Sequence, residues 1–453
     1  MARSTAGRII TAAAGALGLS LVLVACGGDD SGDDGAGGSA SNGGSDCDFA
    51  ADYGDLGGTQ ITAYSTIVPP EDAPLEASFD KFEECTGATV VYEGSDEFEA
   101  QLPVRIQGGT PPDIAIIPQP GLLATLVRDY DAVIPAPDEV KANVEASFDS
   151  SWIDYGTVDG TYYAAPFGAN IKSFVWYSPG AFEEAGYEVP ETWDDMLALS
   201  DQIVADGGKP WCAGLGSGDA TGWPATDWVE EVMLRNAGAD VYDQWYKHEI
   251  PFNDPQVAEA VDIVGDILKN EDYVNGGLGD VSSIATTRFE DGGLPILQGN
   301  CWMHHQASFY AANWGEGVTV AEDGDVFAFY LPSIKEEHGN PVLGGGEFVA
   351  AFAERPEVQA FQTYLSSDHW HAERASLGNF VSANKTVPLD SYDSPVNRLS
   401  AEIFQDPEAV FRFDASDLMP AEVGTVAFWT GMVNWITGQS TQDTVDAIEA
   451  AWP

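Results

Sequence analysis

The chain is poor in positive charge. Its 453 residues hold 18 Lys and Arg against 73 Asp and Glu, a formal charge of −55. A field of that sign repels phosphate backbones, which argues against a nucleic-acid partner. It also repels an anionic membrane surface, so no basic patch can hold the protein there. Cysteine is scarce: Cys26, Cys47, Cys85, Cys212 and Cys301, with no Cys-x-x-Cys pair, which weakens any zinc or thioredoxin reading. No Gly-x-Ser-x-Gly elbow marks a nucleophile. Gly214–Gly218 is glycine-rich but fits neither the dinucleotide nor the P-loop pattern, so no cofactor is expected. Long apolar runs are missing too, with one exception at the N-terminus.

That exception runs from Ile9 to Ala25 and follows Arg3 and Arg8. A charged region, an apolar region and a small residue before the cut make a secretory signal. Its last three residues and the cysteine that follows, Leu23-Val24-Ala25-Cys26, resemble a bacterial lipobox. The resemblance implies that residues 1–25 are removed and that Cys26 carries lipid as the first mature residue. Residues 27–46 are Gly, Ser and Asp with little else, so 26–56 is expected to be a lipidated cysteine and a flexible tether. With Cys26 acylated, four cysteines remain in an oxidising compartment, and three pairings are open. The preferred one joins Cys47 to Cys85 and Cys212 to Cys301. The remaining chain exceeds the size at which single cores stop growing, so two lobes are expected. The acidic surface also suits a salty medium.

Short apolar runs alternate with helical patterns after the tether. Ile61–Tyr64, Thr89–Tyr92 and Asp113–Ile117 read as strands, with helices over Ala77–Cys85 and Glu97–Gln107 between them. That order predicts a mostly parallel sheet with crossover helices, and thus an α/β fold. Thr192 to Asp195 and Ser440 to Asp443 are helix-capping signatures.

Several words in this chain then resemble the family 1 extracellular solute-binding proteins of ABC importers, and among them the actinobacterial carbohydrate (α-glucoside) binding lipoproteins. They include Pro111–Ala115, Pro118–Gly121, Ile171–Tyr177, Val189–Trp193, Thr221–Trp228, Gly299–Gln306, Gly344–Phe348 and Phe411–Pro420. The resemblance runs from about Gly58 to the C-terminus. It implies a two-lobe, type II periplasmic-binding-protein-like fold with a ligand cleft between lobes. It places the chain crossings near Ala165–Gly168, Asn300–His304 and Leu343–Glu347. The N-lobe would hold 57–166 and 302–344, and the C-lobe 167–301 and 345–453. The implied partners are a carbohydrate ligand and ABC permease subunits, with the protein a monomer on the outer face of the cell membrane.

A sugar presents apolar C–H faces that stack on aromatic rings and hydroxyls that need fixed donors and acceptors. Tyr64 and Ser65 end the first strand, and Gln119 follows the third, where ligands bind in open α/β sheets. Trp223 lies between Gly222 and Pro224, with Asp227 on the helix that follows. Lys172 interrupts an apolar run, an expensive place for a charge unless it reaches a cleft or partner. Trp302, at an expected crossing, is the foremost stacking platform. His305 joins the set as a hydrogen-bonding side chain; it and His304 point to opposite faces of an extended segment and should not share a metal ion. Glu347 follows three glycines that permit close backbone approach. Asp417 is expected to face ligand and Asp414 to be structural. The alternative, an anchored glycosidase, needs two carboxylates at a set separation, and no pair stands out among 73 acids.

Overall fold

The computed structural model describes residues 47–453 except 52, 278, 393 and 407. The expected signal, Cys26 and residues 27–46 of the tether lie outside them. Strands Gln60–Ser65, Thr89–Gly94 and Ile114–Ile117 form where expected and pair in parallel. The first helical stretch is split, Asp72–Ala77 and Asp80–Thr86, and ends at Gly87 with φ of 74°. Phe98–Gln107 supplies the next crossover. The long strand Asn340–Ala351 runs antiparallel to Ile114–Ile117 and to Ala164–Ile171, and parallel to Ala409–Phe413. The first sheet therefore has three parallel and two antiparallel pairings.

A second sheet has the order Phe327–Tyr330, Phe174–Tyr177, Met303–His305, Trp211–Cys212, Val274–Asn275. It too is mixed, with two antiparallel and two parallel pairings. Each sheet is covered by its own helices. Ile61, Phe82, Phe361 and Trp370 share a core beneath the first. Val175, Trp211, Met303, Val264 and Trp435 share one around the second. The two-lobe α/β architecture follows from this separation.

The lobes are shared out differently from the expected segments. Met303–His305 and Phe327–Tyr330 belong to the second sheet, held by register with Trp211–Cys212 and Val175–Tyr177, so 302–344 does not return to the first lobe as a block. Helices Pro356–Leu365 and Asp368–Ser376 pack into the first core instead of the second. The chain crosses between sheets at Lys172–Ser173, between Tyr330 and Asn340, and at Asp414. Strand pairing between distant segments decides this, and a linear pattern of apolar residues does not carry it.

The expected caps are present. Thr192 Oγ1 accepts from the Asp195 N–H at 3.1 Å, and Ser440 Oγ from the Asp443 N–H at 3.1 Å. Both expected disulfides form, Cys47–Cys85 and Cys212–Cys301, with Cα separations of 5.3 and 5.5 Å. Among the described residues, no helix is long and apolar enough to cross a membrane.

Candidate functional site

The three parallel strands of the first sheet end on one side, and the segments after them form one wall of a cleft: Thr66–Val68, Asp96 and Pro118–Gln119. Trp223, Phe289 and Trp429 line the other wall. Between them lie Asn170, Lys172, Glu347, Asp414 and Asp417, all at or near chain crossings or in strands that join the walls. The cleft encloses about 980 Å³ including its open mouth, enough for a small ligand.

Lys172 is the centre of its charge. The backbone N–H of Lys172 donates to Leu343 O at 2.8 Å, fixing the crossing. Its Nζ donates to Asp227 Oδ1 at 2.8 Å and to Asp414 Oδ2, and it lies 5.3 Å from the Trp223 ring centroid. Burial opposes the ammonium charge, but Asp227, Asp414 and Asp417 outweigh it and hold the Lys172 pKa well above its ordinary value. Burial likewise opposes ionisation of Asp414, yet Lys172 and the Ser416 hydroxyl keep that carboxyl below the usual range. Asp414 also caps the short helix Ala415–Leu418 by accepting from the Asp417 N–H at 2.9 Å. Glu230 accepts from the N–H groups of Ala415 and Ser416 at 3.0 and 3.1 Å, so the third crossing is tied to the helix Trp223–Val232. Asp227, Glu230 and Asp414 come close enough to hold a metal ion. Lys172 already supplies the cation in this cluster.

The remaining carboxyls lack such a partner. Burial pushes Asp417 well above the usual range, reinforced by Asp414. Burial raises Glu99, whose Oε1 accepts from Gln119 Nε2 at 2.9 Å. Burial raises Glu347 against the pull of Arg374. Glu71, beside Glu347, rises to about 8 by burial and by the charge of Glu347. Three buried polar atoms on the cleft wall have no partner among the described residues: Gln119 Oε1, Asn170 Oδ1 and Trp429 Nε1. A buried orphan of this kind costs about 1–3 kcal/mol, so two acceptors and one donor are left for a ligand to satisfy.

Glycines make the geometry possible. A Cβ on Gly346 would lie 2.4 Å from Gly168 O, and one on Gly344 would lie 2.7 Å from Asn170 O. The close approach expected of this segment is present, and it sets Glu347 at the cleft. Gly222, with φ of 117°, lets the start of the Trp223 helix pass the Trp429 carbonyl, 2.2 Å from where a Cβ would sit.

Five of the ten residues singled out in the sequence line the cleft: Gln119, Lys172, Trp223, Glu347 and Asp417. Asp227 stands directly behind Lys172. The other four lie elsewhere. Tyr64 turns to the opposite face of its strand, 4.9 Å from the Phe98 ring and under the Arg105 guanidinium. Ser65 Oγ meets Tyr92 Oη at 2.6 Å and accepts from the Ile67 N–H, so it shapes the turn whose next residues reach the cleft. His305 is buried against Trp228 at 4.5 Å, with Nε2 3.7 Å from Glu231, and burial lowers its pKa. His304 faces the other way, its Nδ1 3.0 Å from Cys212 O. Trp302 packs on Tyr187 and Phe182, at 4.8 and 6.1 Å, on the helix-covered side of the second sheet. It is not a wall of the cleft: it precedes the Met303–His305 strand and packs against the core of the second sheet. Asp414, expected to be structural, both caps a helix and lines the cleft. Trp429, Phe289, Glu71 and Asn170 carried no distinctive local word. Trp429 in particular sits in an apolar helical run with Phe428, Met432 and Trp435, which reads as core.

Two lobes around a deep cleft of carboxyls and tryptophans define a solute receptor. The chain belongs to the bacterial extracellular solute-binding proteins, whose family model matches residues 68–369. It is 41% identical over 406 residues to the osmoprotective compounds-binding protein GgtB of Synechocystis, covering 88% of this chain and 94% of that protein. It is 40% identical over 409 residues to the alpha-glucosides-binding periplasmic protein AglE of Rhizobium meliloti, covering 88% of each. The fold matches the solved solute receptor AcbH with a TM-score of 0.73 at 21% identity, covering 87% of this chain and 97% of that one. A chitin oligosaccharide binding protein matches with a TM-score of 0.72 at 20% identity, over 86% and 97%. These relatives are binding proteins, and the glycosidase alternative gains no support from them.

Proposed function

We propose that this protein is a lipid-anchored receptor that captures an α-glucoside or other oligosaccharide and delivers it to an ABC permease. The observation that carries the reading is the set of unpartnered buried atoms, Gln119 Oε1, Asn170 Oδ1 and Trp429 Nε1, on a wall shared with carboxyls and tryptophan rings. A carboxylate accepts from neighbouring hydroxyls, and an indole face takes the C–H side of a pyranose. In this reading Trp223 provides the stacking face, in place of Trp302, and Trp429 offers its indole N–H. Gln119, Glu347 and Asp417 take hydroxyls, while Lys172, braced by Asp227 and Asp414, fixes the cleft's base. The relatives named for alpha-glucosides and osmoprotective compounds support this ligand class. Crossings at Lys172–Ser173 and Asp414 lie at the cleft itself, so ligand contacts there favour closure of the lobes.

Cys26 would hold the mature monomer on the outer face of the membrane, and the 27–46 stretch would let it reach the permease. Tethering raises the local concentration of receptor at the importer, which the acidic body could not achieve by attraction. A thermal-shift screen of the purified protein tests the ligand class. A rise in melting temperature with α-linked disaccharides, and none with amino acids, is expected; no rise with any sugar refutes the proposal.

A further inference from the structure

The mouth of the cleft carries a direct contact between the lobes. Asp96, in the turn after the Thr89–Gly94 strand, belongs to the first lobe. Gly218 and Arg288 flank segments whose Leu215 and Ile284 lie in the second core. Arg288 Nη2 lies 3.7 Å from Asp96 Oδ2, and a Cβ on Gly218 would lie 2.8 Å from the Asp96 carbonyl oxygen. The lobes therefore meet at a residue that lines the cleft.

The glycine-rich run Gly214–Gly218 builds the second lobe's side of this contact. The Gly216 N–H donates to Thr287 O at 2.8 Å, and the Phe289 N–H donates to Gly216 O at 2.8 Å. A Cβ on Gly214 would lie 2.5 Å from Arg288 O, so only glycine lets the two segments lie this close. Gly218, with φ of 54°, takes the left-handed turn beside the Asp96 backbone. Arg288 thus stands on a fixed segment. The next residue, Phe289, is a wall of the cleft and packs on Trp223 at 5.1 Å. Acids from both lobes stand near the arginine. Its guanidinium donates to Glu290 on its own segment and faces Asp96 across the mouth. The acids also feel one another between lobes. Burial is the main cause that raises Glu99, and the charges of Asp219 and Asp96 add to it. Burial and then Glu347 raise Glu71, and Glu290 of the other lobe adds to them. Closing the cleft therefore brings like charges together. Lys172 is already held by Asp227 and Asp414, so Arg288 is left to answer the acids at the rim.

We propose that Arg288 is a closure latch: its pairing with Asp96 across the mouth holds the lobes together over the ligand, against the repulsion of the acids on either side. The inference rests on the receptor reading above. Arg288 acts through the placing of the lobes, so it is a positioning residue. It is more than half exposed, and its replacement should leave the fold intact, which melting curves check. Calorimetry with maltose and trehalose, at low and at molar salt, tests the latch. At low salt Arg288→Gln should weaken binding of whichever sugar the protein takes by about two- to fivefold, the range of an exposed ion pair. Arg288→Glu should weaken it further. Asp96→Asn should cost about as much as Arg288→Gln, and the double variant no more than either alone. At molar salt these differences should vanish, because salt screens exposed charges; a loss of packing would not respond to salt. Unchanged affinity in Arg288→Gln, or a loss that persists undiminished in molar salt, overturns the latch alone. If neither sugar binds, the sugar reading fails, and X-ray scattering of the ligand-free protein decides the latch. A radius of gyration that rises in Arg288→Gln at low salt only supports it, and one that matches the parent protein at both salts overturns it.

Discussion

At the residue scale, one buried lysine answers several buried acids at the base of the cleft. Lys172 is buried, and its two carboxylate partners are buried with it. Removing one partner of a buried ion pair costs about 3–5 kcal/mol, because the other charge is left uncompensated. Lys172→Met should therefore destabilise the protein by about that amount in urea unfolding, and adding Asp227→Asn should restore part of it. Glu71 gives a pH signature. Its folded pKa of about 8 lies above the ordinary 4.5, so between those values the native state binds more protons than the unfolded chain. Stability from this group is fully present below pH 4.5 and is lost as pH rises towards 8. Melting temperatures of the ligand-free protein should fall across that window, and Glu71→Gln should flatten the slope; an unchanged slope would remove Glu71 as its source. The sequence showed Lys172 as a charge in an apolar run and led to the cleft. It could not show Glu71, an ordinary acid among 73 until the fold buries it beside Glu347.

At the element scale, local signals were legible and face assignments were not. Gly87 marks a helix end through its left-handed backbone, Thr192 and Ser440 through side-chain oxygens that accept from backbone N–H groups, and the structure places the ends there. Trp302 and Trp429 both sit in apolar stretches. Which of them faces the cleft depends on strand register and helix packing set by residues far away in sequence, so the wrong one stood out. The glycine strand is the element that can be tested most simply. Gly346→Ala puts a methyl 2.4 Å from the Gly168 carbonyl, a backbone atom that cannot swing aside. It should separate the Asn340–Ala351 and Ala164–Ile171 strands at that point, displace Glu347, and lower sugar affinity at least tenfold, read by calorimetry. An unchanged affinity would show that the close approach does not position the carboxylate. Opening Cys212–Cys301, which spans 89 residues, should cost about 2–5 kcal/mol by denaturation of the double serine variant.

At the scale of the whole molecule, the charge of −55 sets behaviour in solution. Self-repulsion among surface carboxylates weakens as salt screens it, so melting temperature should rise between low and molar salt; a flat or falling curve would refute a salt-adapted surface. Replacing Cys26 should release an active binder into the medium and abolish uptake, which separates anchoring from binding. The two-lobe class was legible because chain length, alternating elements and family words agree. The division of segments between lobes was not, since it depends on pairings such as Met303–Trp211 across 92 residues.

The central claim is that the cleft walled by Trp223 and Trp429 binds an α-glucoside without altering it. Titration calorimetry of the purified protein with maltose and trehalose, with the mixture then assayed for free glucose, tests it most directly. Saturable one-to-one binding of at least one of them is expected, weakened tenfold or more by Trp223→Ala, with the sugar recovered intact. No binding, binding indifferent to Trp223, or release of glucose would contradict it.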